Sequence, residues 1–342
     1  MIDWPSVKRV LVVRLRSIGD TVLATPSLIA LRRFLPHAEI DILLEDWVAP
    51  LLEGHDAVNN VIVTGKTSSE RFKTARELRK REYGVVFNLH GGSTSTYFVA
   101  ASRAKHRVGY AGYRYSFLYN HPLSSSADFW KREKTHSAEQ QLALLGFVGV
   151  PVEDRPRSRL VVNDAALERV RTACVSGRPV SEPFALLHPA AAFATKEWAP
   201  ENFARTAEYL SNKGFGTVAV AARNEQSVLD ELAAASKVPL LTFNDLTLPE
   251  ITALASKAKI FVGNDSGIAH IAAAVNTPTV VIFGASNLDH WRPWTDALNE
   301  VVFSERECPH FKGDVRPGTE DPKCIQCVDV EQVTAAIDRV LI

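Results

Sequence analysis

The chain has 342 residues, which is enough for two domains of ordinary size that each bury a core. Its hydrophobic fraction of 46%, charged fraction of 23% and formal net charge of zero are typical of a globular enzyme and indicate no nucleic-acid partner. Four cysteines, no apolar run long enough to span a membrane and no signal-peptide segment favour a cytoplasmic protein without a disulfide framework.

Short runs of Val, Ile and Leu alternate with helical patterns along the chain. In the first half these runs are KRVLVVR, EIDILLE, NNVIVTG and GVVFNLH; in the second they are PFALLHP, GTVAVAA, VPLLTF, KIFVGN and PTVVIFG. Continuous apolar runs separated by helices predict parallel strands that are covered on both faces. We therefore predict an α/β protein with two Rossmann-like, doubly wound parallel sheets facing each other across a cleft.

The segment GVPVEDRPRSR is rich in proline and charge, and we interpret it as the linker between the two sheets. The predicted domains are residues 1–155 and 156–328, followed by an amphipathic helix over 329–342 that could pack on either domain.

Charge is distributed unevenly between the predicted domains. Through residue 155 the chain has 21 Lys and Arg against 16 Asp and Glu, and the remainder has 18 against 23. Most of the excess lies between Lys66 and Lys134. It is either a solvated helix surface or a face that meets an anionic partner, such as a phosphorylated acceptor or a membrane leaflet.

The first polar motif, RSIGD, follows the first predicted strand and precedes a helix with Pro26 near its first turn. Its single glycine does not make a dinucleotide-binding fingerprint. Asp20 is either a helix cap or a carboxylate base at the edge of the sheet.

The second motif, HPAAAFATKEW, follows the predicted strand that ends at His188. Lys196 lies there in a loop of small residues, where it could hold a phosphate as a point charge. The alternative is a solvated lysine.

The third motif, VGNDSGIAH, joins a buried strand to a helix that we predict to begin at Ser266, with Asp265 at the N-cap. The apolar positions that follow Gly267 form one stripe, and Ser266 and His270 lie on the opposite side. A helix start with open amides is an anion site. The alternative is an ordinary Asp cap with a surface histidine.

These three motifs, in this order and spacing, resemble the ADP-heptose:lipopolysaccharide heptosyltransferases over nearly the whole chain. The resemblance implies a GT-B-type fold with the acceptor on the first domain, the nucleotide-sugar on the second, and a C-terminal helix that crosses back. It also implies inverting transfer of heptose from ADP-heptose to an inner-core lipopolysaccharide acceptor at the inner membrane's cytoplasmic face.

The resemblance also implies roles for individual residues. Asp20 matches the family's catalytic aspartate, and Lys196 matches the lysine that holds the donor phosphates. Glu225 matches a residue at the ribose, and Leu246 one beside the adenine. The remaining matched donor-site positions are Asp265, Ser266, Gly267 and His270.

Two departures from the family pattern concern the donor and acceptor. Ala191 and Ala192 stand at donor-site positions where the heptosyltransferase I type has two threonines, so two hydroxyl donors near the phosphates are missing. The stretch ASNLDHWRPW differs from the commoner proline-containing loop.

The sequence contains no Asp-x-Asp pair that would hold an obligatory metal, so we expect divalent cations to be at most stimulatory. A C-terminal group of thiols and one imidazole could form a zinc site, but its C-x-H half is tighter than usual, and we favour reduced thiols. This group is Cys308, His310, Cys324 and Cys327.

Two other functions are compatible with the same fold. One is a nucleotide-sugar epimerase, which would turn over donor without an acceptor. The other is a non-catalytic family member that binds only nucleotide or lipid, although the presence of Asp20, Lys196 and Asp265 together argues against it.

Overall fold

The computed structural model describes residues 2–177, 183–304 and 325–341, and it divides the chain into two compact units. The first unit is Met1–Val161 and the second is Val162–Ile342, so the division falls just beyond the predicted linker. Among the described residues, no helix combines the length and apolar character needed to cross a bilayer.

The first unit contains a six-stranded sheet in which all neighbouring strands are parallel. Its strand order is β3-β2-β1-β4-β5-β6. The strands are β1 (Arg9–Leu15), β2 (Glu39–Glu45), β3 (Asn60–Thr64), β4 (Val85–Asn88), β5 (His106–Tyr110) and β6 (His121–Leu123).

Helices cover both faces of this first sheet, as parallel crossovers require. They are α1 (Ile18–Val22), α2 (Thr25–Phe34), α3 (Ser68–Lys80), α4 (Ser93–Ser102), α5 (Ser126–Trp130) and α6 (Ser137–Gly146). Helices α3 and α4 pack on one face, where Leu78 and Phe98 join a buried cluster with Leu11 and Val86. Helices α2 and α6 contact each other and strands β2 and β5.

The second unit repeats this topology. Its strand order, read from the opposite end, is β9-β8-β7-β10-β11-β12, again with parallel neighbours. The strands are β7 (Phe184–His188), β8 (Gly216–Val220), β9 (Leu241–Phe243), β10 (Ile260–Asn264), β11 (Thr279–Phe283) and β12 (Asn299–Phe303). The prediction of two doubly wound parallel sheets is therefore confirmed.

The core of the second unit includes the helix nearest the C-terminus. The α-helices in the described part of this unit are α7 (Asp164–Gly177), α8 (Pro200–Asn212), α9 (Gln226–Ala235), α10 (Leu248–Lys257), α11 (Gly267–Ala274), α12 (Leu288–Trp291) and α13 (Val330–Val340). Helix α13 contacts α8, β11 and β12. Val333 and Ile337 of α13 are fully buried in the same cluster as Trp198 and Phe203.

All nine strands that the sequence predicts are present, but three others were missed. Strand β5 is mostly polar, β6 has three residues and includes a proline, and β12 begins with Asn and Glu. All three lie in the outer part of their sheets, where less apolar surface is buried and the sequence signal is weaker.

In each sheet, the direction in which the chain progresses from strand to strand across the sheet reverses once, although all strands stay parallel. Crossovers run outward in opposite directions from β1 and β4 in the first sheet, and from β7 and β10 in the second. In doubly wound sheets this switch point leaves a crevice at the carboxyl ends of the strands, which is where ligands bind. Asp20 follows β1, while Lys196 and Asp265 follow β7 and β10.

Candidate active site

The first switch point is built around Asp20. Strand β1 ends at Leu15, which adopts the left-handed conformation with φ of 63°, and helix α1 begins after Ser17. Asp20 lies in the first turn of α1, and its Oδ2 accepts a 3.0 Å hydrogen bond from the Ser17 hydroxyl. Ser17 occupies the N-cap, so the alternative interpretation of Asp20 as the cap residue is wrong.

Arg14 lies beside Asp20 and was missed by the sequence analysis. Its guanidinium forms an ion pair with Asp20 Oδ1 and donates to the carbonyl of Leu89 at the end of the neighbouring strand. The Arg14 side chain is 9% exposed and that of Asp20 is 21% exposed. Burial lowers the pKa of Arg14, while Asp20 opposes that shift. Arg14 thus fixes one carboxylate oxygen from inside the unit.

The loop after β4 completes the first switch point. The Asn88 side chain accepts hydrogen bonds from the backbone N–H groups of His90 (3.0 Å) and Gly91 (3.1 Å). Burial and the nearby Arg14 lower the pKa of His90. The ring of Tyr113 lies against Gly91, where a Cβ atom would be 2.5 Å from the ring and φ is +84°, so only glycine fits.

The second switch point contains an ion pair between Lys196 and Asp265. Lys196 Nζ lies 2.7 Å from Asp265 Oδ2, with the lysine side chain 26% exposed and the aspartate side chain 6% exposed. The sequence had placed both residues at one sheet edge, and the structure brings them into direct contact. The expectation that Asp265 is the N-cap is wrong. Its N–H continues the strand ladder to Ile282 O, and Ser266 is the cap.

Two buried residues hold the Lys196 loop against the β10 loop. The Asn264 side chain accepts from the backbone N–H of Trp198 (3.2 Å) and donates to Pro189 O (2.7 Å). The Trp198 indole donates to Val328 O (2.9 Å), and the Gln326 side chain donates to Glu197 O (2.6 Å). These bonds fix the turn on which Lys196 stands.

Helix α11 differs from the predicted amphipathic helix. Its residues from Ile268 to Ala274 are buried, including His270 at 4% exposure, because α10, β10 and β11 surround it. The predicted polar side is therefore not a solvent face. The Ser266 Oγ atom is buried and has no hydrogen-bond partner among the residues that the structure describes. Gly267, the first residue of α11, is half-buried.

The other predicted donor-site residues follow neighbouring strands of the same sheet. Glu225 lies after β8, and its Oε2 accepts from the N–H of Ala222 at 2.9 Å. Leu246 is half-buried between β9 and α10. Ala191 donates its N–H to Glu197 Oε1 at 3.1 Å, and Ala192 is exposed. They share the carboxyl edge with Lys196 and Asp265.

Comparison with known proteins identifies the family of this two-sheet chain. The family model described as glycosyltransferase family 9 (heptosyltransferase) matches residues 71–317, which is more than half of the chain. The chain belongs to glycosyltransferase family 9.

Two curated relatives are similar to this glycosyltransferase in sequence. A lipopolysaccharide heptosyltransferase 3 from Escherichia coli is 28% identical over 94% of this chain and 96% of its own length. A lipooligosaccharide heptosyltransferase 2 from Haemophilus ducreyi is 25% identical over 66% of each chain.

Solved structures share the fold. A family 9 glycosyltransferase from Veillonella parvula has a TM-score of 0.84 at 20% identity, covering 98% of this chain and 97% of its own. The E. coli ADP-heptose heptosyltransferase II has a TM-score of 0.79 at 22% identity, covering 97% and 98%. The GT-B-type fold prediction is confirmed.

The C-terminal group of thiols and one imidazole, for which we favour reduced thiols over a zinc site, lies mostly outside the described residues. Cys308, His310 and Cys324 are not described, and Cys327 is a half-buried free thiol in the short turn Ile325–Cys327. Within residues 2–177, 183–304 and 325–341, no group of three or more His, Cys, Asp or Glu residues is placed to hold a metal ion.

The two switch points offer complementary chemistry to a glycosyl transfer. The first presents a carboxylate whose position is fixed by Arg14 and Ser17. The second presents an ammonium group and the amides at the start of α11, which suit an anion.

Proposed function

We propose that this glycosyltransferase moves heptose from ADP-heptose to an inner-core lipopolysaccharide acceptor with inversion at the anomeric carbon. The observation that supports the donor class is the Lys196–Asp265 pair at the second switch point, since a partly exposed ammonium beside a helix start suits a diphosphate. The two relatives named above are called heptosyltransferases, which supports heptose as the sugar.

The proposed reaction needs one base and stabilisation of one leaving group. The Asp20 carboxylate takes the proton of the acceptor hydroxyl while that oxygen bonds to the anomeric carbon. The bond from the anomeric carbon to the diphosphate oxygen breaks on the opposite face, and ADP leaves as an anion. Lys196 and the amides of Ser266 and Gly267 stabilise the developing charge. No metal is required, and a divalent cation is at most stimulatory.

The remaining donor contacts follow from the positions along the sheet edge. Glu225 contacts the ribose, Leu246 packs beside the adenine, and His270 belongs to the helix start that binds the diphosphate. Ala191 and Ala192 line the phosphates without hydroxyl donors, which leaves more of the anion binding to Lys196.

The acceptor is anionic and anchored in lipid, so we place the enzyme at the cytoplasmic face of the inner membrane, in peripheral contact with it. The excess of Lys and Arg in the first predicted domain supports this location. Nucleic acid is not a partner.

Calorimetry with a panel of ADP-sugars and UDP-sugars tests the donor. We expect binding of ADP-heptose and ADP and much weaker binding of UDP; equal affinities would contradict the assignment. Incubating donor with and without a core oligosaccharide acceptor tests the reaction, because transfer adds one heptose to the acceptor mass. Conversion of the donor sugar without an acceptor would indicate an epimerase instead.

Mass analysis of core oligosaccharide from a strain that lacks the protein tests the acceptor. A core that is shortened by one heptose is the expected result. An unchanged core would contradict the proposal.

A further inference from the structure

The outer layer of one face of the first sheet exposes several aromatic side chains to solvent. This layer consists of α3, α4 and the loop over residues 111–119, whose inner side chains join one buried cluster. We call its exposed aromatic side chains the aromatic face. They are Phe72 (61% exposed), Tyr97 (43%), Tyr115 (46%) and Phe117 (80%).

The aromatic face is held on a fixed framework. The Thr96 hydroxyl donates to Arg114 O at 3.3 Å and lies 2.8 Å from the Tyr119 hydroxyl, so α4 and the loop are joined. Tyr119 is itself buried and accepts from the Asn88 side chain at 2.6 Å. Because the loop is anchored behind Tyr115 and Phe117, their exposure follows from the fold.

The charge around the aromatic face is positive. Residues 83–127 contain no Asp or Glu and four Lys or Arg residues. Three of these cations are exposed: Arg103, Lys105 and Arg114. The Arg114 guanidinium carbon lies 5.3 Å from the centre of the Tyr115 ring, so cation and aromatic surface are adjacent.

Helix α3 extends this positive charge, because its acidic residues already have partners. Glu70 accepts from the backbone and hydroxyl of Thr67, and Glu77 pairs with Arg81 at 3.0 Å. Exposed cations surround Phe72 on the same helix: Lys73, Arg76, Arg79 and Lys80.

A face of this kind is suited to one class of partner. Exposed apolar surface next to cations marks an interaction site, and aromatic rings with flexible basic side chains are what binds the interface of an anionic bilayer. In the second unit, the described residues expose two large hydrophobic side chains, Phe193 and Leu298. The described part of the first unit exposes seven, of which Trp47, Val63 and Phe147 lie outside the aromatic face. Four of the seven thus belong to this one layer.

We propose that the aromatic face docks on an anionic lipid bilayer, with Tyr115 and Phe117 entering the headgroup region and Arg103, Lys105 and Arg114 contacting lipid phosphates. This inference rests on the proposed function in that a lipid-anchored acceptor gives the docking its purpose. The docking itself is independent of catalysis and is measured without acceptor or donor.

The test is co-sedimentation of the full-length protein with vesicles of phosphatidylethanolamine and phosphatidylglycerol, compared with vesicles of phosphatidylcholine alone. We expect binding to the anionic vesicles and release at about 1 M salt, where the Debye length falls to roughly 3 Å. The double variant Tyr115→Ser/Phe117→Ser should bind at least about tenfold more weakly. Arg103→Gln and Lys105→Gln should each weaken binding by about fivefold.

Matched controls come from the second unit. Leu298→Ser removes an exposed apolar side chain, and Lys237→Gln removes a lysine whose side chain is 84% exposed. Both should bind vesicles like the unchanged protein. Calorimetric ADP binding and melting temperature, which should be unchanged in all variants, show that each one is folded.

Three results would overturn the docking proposal. They are no binding of the unchanged protein to anionic vesicles, equal binding by the aromatic and control variants, and equal binding to anionic and neutral vesicles. A change in oligomeric state without a change in vesicle binding would assign the face to protein contacts instead. Vesicle binding by a protein that transfers no heptose would contradict the proposed function and leave the docking intact.

Discussion

The two switch points carry the same kind of ion pair with the order of burial reversed. At the first, the cation Arg14 is the more buried partner (9% exposed) and the carboxylate Asp20 is the more accessible (21%). At the second, the carboxylate Asp265 is buried (6%) and the cation Lys196 is accessible (26%). A ligand at the first switch point therefore meets a negative group, whereas a ligand at the second switch point meets a positive group. The accessible carboxylate of the first switch point suits a neutral hydroxyl that is to be deprotonated, and the accessible cation of the second suits an anionic diphosphate.

Repeated topology thus does not repeat function. Both sheets have one strand order, and both place a polar loop at the reversal point. The chemistry differs because the buried partner of each pair comes from a different place. Arg14 belongs to β1 itself, whereas Asp265 follows β10 and its partner comes from the loop after β7. The fold determines where each ion pair lies, and the identity of the buried partner determines which charge is accessible to a ligand.

The largest expected effect is on turnover. Replacing Asp20 with Asn keeps the size of the side chain but removes its basicity, so kcat should fall by roughly 10²–10⁴. ADP affinity should hardly change, because the proposed donor contacts belong to the second unit. The matched control is Asp128→Asn, an exposed first-turn carboxylate of α5. Near-normal kcat in folded Asp20→Asn protein would refute the assignment of the base.

The free energies of unfolding of two Asp→Asn variants test whether the two ion pairs differ in which partner is buried. Asp20→Asn leaves Arg14 buried without its partner, which should lower the free energy of unfolding by about 3 kcal/mol. Asp265→Asn leaves Lys196, which water can reach, and should cost about 1 kcal/mol or less. Urea unfolding of both variants measures the difference. Equal losses would show that burial of the cation does not distinguish the two pairs.

Donor affinity should depend on the exposed cation. Lys196→Ala should weaken ADP binding by about 1.5–3 kcal/mol, the scale of a hydrogen bond to a charged group. Lys213→Ala is the control, because Lys213 forms an ion pair of the same length, 2.7 Å, with Asp338 elsewhere in the unit. Calorimetry that finds unchanged ADP affinity in Lys196→Ala would contradict the phosphate-binding role.

The smallest expected effect is a contribution to the pH dependence of stability from one histidine at each switch point. Burial is the largest cause of the lowered pKa of both His90 and His188. Each is neutral when folded and accepts a proton more readily when unfolded. The contribution of each neutral histidine to the free energy of unfolding is therefore fully present above the ordinary pKa of 6.5. It declines as the pH falls toward the lowered pKa. The slope is at most about 1.4 kcal/mol per pH unit for each histidine.

Thermal melts between pH 7.5 and 5 measure this slope. His188→Asn and His90→Asn should each reduce it relative to the unchanged protein. A slope that both switch-point variants retain would assign the pH dependence to other groups.

Sequence patterns predicted most of the fold because buried parallel strands require long apolar runs, as in KRVLVVR and KIFVGN. The predicted positions of Lys196 and Asp265 after two parallel strands also placed them on one edge, since the loops that follow parallel strands lie at the carboxyl edge of the sheet. The predicted start of α11 was wrong by one residue, because Asp265 is held in the sheet by its backbone hydrogen bond to Ile282 O. This is a tertiary contact, which local capping preferences cannot show.

The missed residues of the first switch point have a common physical origin. Arg14 reads as an ordinary strand residue until its partner across one turn is known, although an arginine within an otherwise apolar run is itself a signal. His90 and Gly91 follow a strand in the stretch NLHGG, where paired glycines indicate a close backbone approach. The ring of Tyr113 that fills this approach comes from another loop, and one sequence does not reveal that pairing.

The hydrogen bonds between the Lys196 loop and the segment after residue 325 have a consequence for synthesis on the ribosome. The Trp198 indole donates to Val328 O, and the Gln326 side chain donates to Glu197 O. Helix α13 packs in the core behind them. The first unit can close once residue 161 has emerged, but the lysine loop stays incomplete until the segment beyond residue 325 follows. Nascent chains are therefore expected to fold the unit that carries Asp20 well before the unit that carries Lys196. A chain stalled before α13 would carry a folded first unit, and the proposed donor site would lack the contacts that hold the Lys196 loop.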